Sequence, residues 1–158
     1  MTAELPARSR IVADRLTEAG ITGQIVMLPD AAATAAAAAA ALEIEVGAIA
    51  NSLVFISDGE PLLVMTSGAH RVDTVALAKR LGRASIDRAS AAQVREATGQ
   101  AIGGVAPTGH PTQLTTIVDE DLAQHAEIWA AGGTPHTLFP LTFDELVALT
   151  AGTVAIVA

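Results

Sequence analysis

The chain has 158 residues, no cysteine, one lysine (Lys79) and a net charge of −8. Disulfides, thiolate metal sites and a cysteine nucleophile are therefore excluded. The acidic balance argues against a surface that binds a long stretch of nucleic-acid backbone, so a contact with nucleic acid would be limited to its end and would depend on a few arginines and a pocket.

The length is that of one domain, which we expect to span residues 1–158. Residues 1–16 lack the apolar core of a signal peptide. The longest run of small and apolar residues, 31–42, is mostly alanine and is too short to span a bilayer. These features predict a cytoplasmic protein with no membrane segment.

The first half of the chain predicts two helices, a short strand and a hairpin. Thr34 can cap the poly-alanine segment, which has the highest helix propensity in the chain, although a flexible alanine linker is the alternative. The turn "DGEP" between two apolar runs is typical of a hairpin. In chain order, the predicted elements are a helix at 5–19, a strand at 23–28, a helix at 35–42 and hairpin strands at 49–57 and 62–68.

The second half mixes helices and strands without a regular alternation. Ser90 can cap one helix, and Thr142 with Glu145 forms a capping box for another. The predicted elements are helices at 73–81, 91–98 and 142–150, and strands at 112–119, 127–133, 134–140 and 153–158. This order favours an α+β fold with a mixed or antiparallel sheet over a Rossmann-like fold.

The segment "TGQAIGGVAPTGH", residues 98–110, concentrates four glycines and a proline. It lacks the P-loop pattern, and it follows a helix instead of a strand, so the dinucleotide fingerprint has no matching context. Glycines at 103, 104 and 109 allow positive φ or a close backbone approach, while Pro107 restricts the turn. Two interpretations stay open: a tight turn, or a loop whose N–H groups bind a carbonyl or an anion.

The four histidines (His70, His110, His125 and His136) show no metalloenzyme spacing such as HxH or HExxH. A metal hydrolase built on His110, His136 and Asp119 or Asp121 remains a third hypothesis, although the pattern favours no metal. No serine lies in a GxSxG setting, so a Ser-His-Asp hydrolase is not indicated. The segment "VDEDL", 118–122, is typical of a strand end followed by a helix that Asp119 caps.

Several ordered segments together resemble the YbaK/EbsC family, also called the prolyl-tRNA synthetase associated domain. They are "IANSLVF", "LLVMTSGAHRVD", "REATGQAIGGVAPTGH", "VDEDL" and "IWAAGGTPHTLFPLTFDEL". Each segment alone is a weak match, but their order and spacing cover roughly residues 30–150. The set therefore indicates membership more strongly than any single motif does.

The resemblance implies a compact domain whose curved mixed sheet, often described as a barrel, is flanked by helices. It also implies an aminoacyl-tRNA deacylase that hydrolyses the ester between a wrong, small amino acid and the 3′ end of a mischarged tRNA. No cofactor is implied, because an activated ester needs only a positioned water or ribose hydroxyl and an oxyanion site. A homodimer is a further expectation.

The resemblance also suggests site residues. The GxxxP motif runs from Gly103 to Pro107, whose backbone would hold the aminoacyl carbonyl and the terminal ribose. The family pattern "IxKSLVF" has a lysine where this chain has Asn51, which can donate a hydrogen bond but carries no charge. The alternatives are therefore a deacylase and a non-catalytic binding module. The expected catalytic residues are Asn51, Gly103, Gly104 and Pro107, and the expected substrate-binding residues are Ser52, Val105, Gly109, His110, Gly132, Gly133 and His136.

Overall fold

A computed structural model describes residues 5–158. Residues 1–4, which we expected in the same domain, lie outside the described residues. All five predicted helices are present, and none of those described is long and apolar enough to cross a membrane. The helices are α1 (Ala7–Glu18), α2 (Ala35–Leu42), α3 (Thr74–Leu81), α4 (Ala91–Thr98) and α5 (Phe143–Thr150).

The helix boundaries follow the predicted capping residues. The side chains of Thr34, Ser90 and Thr142 each accept a hydrogen bond from a backbone N–H in the first turn. Ser90 and Thr142 both form complete capping boxes, which satisfy two otherwise unpaired donors at each helix start. The poly-alanine segment is therefore helix α2 and not a linker.

Within residues 5–158, eight strands form one sheet. They are β1 (Val26–Met27), β2 (Ile49–Ser57), β3 (Glu60–Ser67), β4 (Asp87–Arg88), β5 (Thr115–Asp119), β6 (Ile128–Ala131), β7 (Thr137–Leu141) and β8 (Thr153–Ala155). Their order is β1-β7-β6-β2-β3-β5-β8, with β4 paired beside β2. The pairs β2–β6, β3–β5 and β5–β8 are parallel and the others antiparallel. The predicted α+β fold with a mixed sheet is confirmed.

Some predicted boundaries differ from the structure. β3 begins at Glu60, so the hairpin turn contains only Asp58 and Gly59, both at positive φ. Such a two-residue turn matches the twist of the flanking strands. The predicted strand 23–28 contracts to β1, and β4 was not predicted because a two-residue strand leaves no pattern in the sequence.

The two faces of the sheet bury different cores. Along β2, Ala50 and Val54 face the main core, where α1 and α5 also pack. Ile49 and Phe55 face the other side. That side carries two separate apolar clusters, one beneath α2 and one beneath α3. Polar side chains, including those of Asn51 and Thr66, lie in the gap between these two clusters.

Candidate active site

The glycine loop, residues 101–110, packs closely against two other segments. A Cβ on Gly103 would lie 3.1 Å from the Cβ of Ala33, just before α2. A Cβ on Gly104 would overlap the backbone of Thr134 and Pro135. Only glycine allows this second approach, so the two glycine-rich turns of the sequence meet in the fold.

Two side chains, those of Gln100 and His110, hold the second half of this loop through hydrogen bonds. The Gln100 side chain, 2% exposed, accepts a hydrogen bond from the Ala106 N–H at 2.7 Å and donates one to the Thr108 carbonyl at 3.2 Å. His110 Nε2 lies 2.8 Å from the Ala106 carbonyl oxygen and donates to it. Burial lowers the pKa of His110, and the hydrogen bond to Ala106 opposes this shift only in part. His110 therefore positions the loop as a neutral ring.

The loop leaves specific backbone donors available. The Gly104 N–H is used internally, because it donates to the Ala101 carbonyl at 3.2 Å. The N–H groups of Gly103 and Val105 have no acceptor within residues 5–158. Val105 is only 5% exposed. Buried backbone donors are nearly always paired, so an unpaired one next to a glycine marks a place where a ligand oxygen can bind.

The second glycine turn connects β6 to β7 and is built around Thr137. The Thr137 hydroxyl lies 2.9 Å from that of Thr134, and the Thr137 carbonyl accepts the Gly132 N–H at 2.8 Å. Gly133 is buried at φ +103, with the Arg8 backbone 3.4 Å from the position of a Cβ. His136, at the tip of this turn, is exposed. Gly133 thus leaves room for α1 to pack against the turn, whereas Gly132 faces Thr137 and Ile25.

Asn51 lies in a row of side chains that crosses one face of the sheet. It pairs with Thr66 on β3. The parallel registers of β2 with β6 and of β3 with β5, continued by one residue, extend this row to Ala131 and Asp119. The row lies between the apolar clusters beneath α2 and α3. The Asn51 side chain has no hydrogen-bond partner among the described residues, which leaves its amide available to a ligand.

The end of this row holds a carboxylate cluster in which Asp119 and Asp121 meet His70, a neighbour that the sequence pattern did not indicate. Asp119 Oδ2 accepts the Ser67 N–H at 2.9 Å and lies 2.8 Å from His70 Nδ1. His70 Nε2 lies 2.9 Å from Asp121 Oδ2. Asp119 is 1% exposed and also caps the following 3₁₀ turn, as predicted. The sequence indicates only that His70 follows the end of one strand and that Asp119 stands at the end of another. It does not reveal that these two strands, β3 and β5, are paired.

The predicted site residues do not all share one place. Gly104 contacts the turn that contains Gly132, Gly133 and His136, whereas Gly103 faces Ala33. Asn51 lies one strand away from β6, level with Ala131. Ser52 faces the opposite side of the sheet from Asn51, and its hydroxyl lies 3.2 Å from Met65 Sδ.

Gly109 and His110 lie on the α1 side of the loop. The position of a Cβ on Gly109 is 3.2 Å from Val12 Cγ2. Pro107 is buried beside them, where its fixed φ shapes the turn. Of the metal set considered above, His110 bonds the loop backbone and His136 is exposed in the other turn. Asp119 instead has His70 and Asp121 as neighbours, and these three could offer ligand atoms within 4.8 Å of one another.

The chain is similar to known proteins in sequence and in fold. The family model of the aminoacyl-tRNA editing domain matches residues 29–149. A solved candidate trans-editing enzyme for prolyl tRNA synthetase is 42% identical, with a TM-score of 0.90 and 98% of each chain covered. A structure from the computational grafting of epitope backbones onto scaffold proteins is 39% identical, with a TM-score of 0.89 and 97% of each chain covered.

A longer relative shares part of the sequence. The proline–tRNA ligase of Lysinibacillus sphaericus (strain C3-41) is 31% identical over 78 residues. The match covers 49% of this chain but only 14% of the ligase. The chain therefore corresponds to a small part of that enzyme.

Proposed function

Because the chain belongs to the aminoacyl-tRNA editing domain family, we propose that it is a trans-editing deacylase. It hydrolyses the ester bond between a small amino acid and the 3′ end of a mischarged tRNA. The 42% identical relative, described as a candidate trans-editing enzyme for prolyl tRNA synthetase, supports a free-standing editing role. The tRNA for proline is for the same reason the first substrate to examine.

The observation that carries this proposal concerns the N–H groups of Gly103 and Val105, which have no acceptor among residues 5–158. In ester hydrolysis, water attacks the carbonyl carbon and negative charge develops on the carbonyl oxygen. Fixed backbone donors stabilise that oxygen without reorganisation. Gln100 and His110 hold the loop in place, and its contact with Thr134 and Pro135 restricts its movement. This combination is a preorganised oxyanion site.

The remaining chemistry needs few side chains. As the tetrahedral intermediate collapses, the bond between the acyl carbon and the ribose oxygen breaks, and the proton from water passes to the leaving hydroxyl. The free amide of Asn51 can orient the substrate by donating to a carbonyl or ribose oxygen. Small residues suit a small amino acid: Ala33 lies beside Gly103 in the loop, and Ala131 lies level with Asn51.

A hydrolysis assay with a panel of mischarged tRNAs tests the proposal. The panel should include glycyl, alanyl and seryl esters on the tRNA for proline and on unrelated tRNAs, with correctly charged prolyl-tRNA as the control. We expect release of one small amino acid far above the rate in buffer and little release of proline. Release at the buffer rate for every ester would refute the activity.

A second candidate function is a non-catalytic binding module. It is favoured by Asn51, which stands where the family resemblance expects lysine and carries no charge to stabilise an oxyanion. The variant Asn51→Lys separates the two candidates. An inert natural chain and an active variant would establish the binding module, whereas an active natural chain establishes the deacylase.

A further inference from the structure

A groove runs along the outer side of α1, behind the glycine loop. It consists of two adjoining cavities of about 400 and 310 Å³, which share Arg15, Gly109, His110 and Pro111 as lining residues. The larger cavity extends from Pro107 towards α5, and the smaller one extends to Arg8 and the end of α4. Each cavity is within the size range of small-ligand sites.

The groove is cationic although the whole chain carries a net charge of −8. Its charged lining residues are Arg8, Arg15 and Glu18. Burial lowers the pKa of His110, which therefore adds no positive charge at neutral pH. Among residues 5–158, the two cavities therefore bring two arginines together with one acidic residue, Glu18. Such a local excess attracts an anionic ligand where the overall charge would repel one.

The two arginines are spaced for an extended anion. Arg8 and Arg15 are seven residues apart on α1, which places them on one helix face about 10 Å apart along the axis. Both are exposed, and neither has an ion-pair partner among the residues that the structure describes. Guanidinium groups bind phosphate through two parallel hydrogen bonds. Two such groups two helical turns apart favour successive phosphates over a single one.

Backbone donors at the shared wall of the two cavities add to this preference. The N–H groups of Gly109 and His110 have no acceptor in the described part of the chain. Gly109 adopts φ +84, a conformation that frequently exposes consecutive N–H groups to an anion. Charge and hydrogen-bond donors therefore coincide in one groove.

We propose that this groove binds the phosphodiester backbone of the single-stranded 3′ end of tRNA. The inference rests on the proposed function, since the ester would lie at Gly103–Pro107, and Pro107 and Thr108 continue from that loop into the larger cavity. α1 contacts both glycine turns through Val12, which lies 3.2 Å from the Cβ position of Gly109 and 3.4 Å from that of Gly133. The groove is thus rigidly connected to the proposed ester site.

The test measures binding of uncharged tRNA by the double variant Arg8→Gln/Arg15→Gln. The matched control is Lys79→Gln/Arg88→Gln, which removes the same charge from exposed positions on α3 and β4. Each lost phosphate contact lowers the slope of log K against log salt by about 0.7 for single strands. For the Arg8/Arg15 variant we expect a slope smaller by about 1.4. The ratio of the tRNA affinity of the natural chain to that of this variant should therefore fall about sevenfold between 50 and 200 mM salt.

The outcomes separate the groove from the catalytic proposal. Weaker tRNA binding by the Arg8/Arg15 variant alone, with an unchanged melting temperature, supports the groove even if no ester is hydrolysed. Equal weakening in both variants would show diffuse attraction and overturn it, as would no weakening in either. Full competition by inorganic phosphate or AMP at the affinity of tRNA would also overturn it, since the groove would then hold one phosphate and not a strand.

Discussion

The substitution Gly104→Ala tests the contact between the two glycine turns. A methyl group at this position would lie 2.6 Å from Thr134 Cα and from Pro135 N. Optimal carbon–carbon contacts are about 3.5–4.0 Å, so one backbone segment must move by about 1 Å. Overpacking of this kind costs typically about 1–3 kcal/mol, and we expect the upper end because no flexible side chain can give way.

The assay is thermal unfolding combined with deacylation kinetics. For a chain of this size, about 3 kcal/mol lowers the melting temperature by roughly 6–12 °C. The control Gly82→Ala meets open space at φ +68, so it costs only the left-handed backbone penalty of about 1 kcal/mol. Displacing the loop by about 1 Å should also lower kcat/KM on the order of 100-fold in the Gly104 variant alone. A Gly104→Ala protein that melts no lower than Gly82→Ala would refute the reasoning.

The other predictions concern titratable groups. Because the folded-state pKa of His110 is lowered, the unfolded chain binds a proton at this histidine more readily than the folded chain does. The free energy of unfolding is therefore unaffected by this group above pH 6.5 and decreases as the pH falls below that value. His110→Gln should therefore show a flatter stability profile between pH 7.5 and 5.5 by urea unfolding, and an unchanged profile would contradict this. Asp119→Asn should cost about 3 kcal/mol because it removes the charge of a buried carboxylate that faces His70. Asp121→Asn, at the exposed end of the cluster, should cost less than about 1 kcal/mol, and equal losses in the two variants would refute the assignment.

The local structure was readable from the sequence because its causes are local. A capping side chain bonds to an N–H three residues away, and the hairpin turn depends on two residues that adopt positive φ. The ordered motifs also indicated the family that residues 29–149 match. The position of the glycine loop was predicted from the sequence. Its residue types alone could not decide between a tight turn and a loop lined with N–H donors.

The tertiary structure decided which residues meet. The parallel pairing of β3 with β5 brings Asp119 to Ser67 and His70, about fifty positions earlier in the chain. Sequence periodicity cannot reveal that pairing, because it depends on how all the strands share one core. Alternation along β2 likewise separates Ser52 from Asn51, although the family motif places them side by side.

The sequence by itself determined the helices, the hairpin, the glycine-rich turns and the absence of cysteine chemistry, since each depends on residues close together in the chain. Only the packing of α1 over both turns created the cationic groove, because the glycine loop follows Arg8 and Arg15 by about one hundred residues in the chain. Within the folded loop, the N–H groups of Gly104 and Ala106 donate to the Ala101 carbonyl and the Gln100 side chain, whereas those of Gly103 and Val105 have no acceptor among residues 5–158. A buried donor must be paired or bind a ligand, and that distinction exists only in the folded chain.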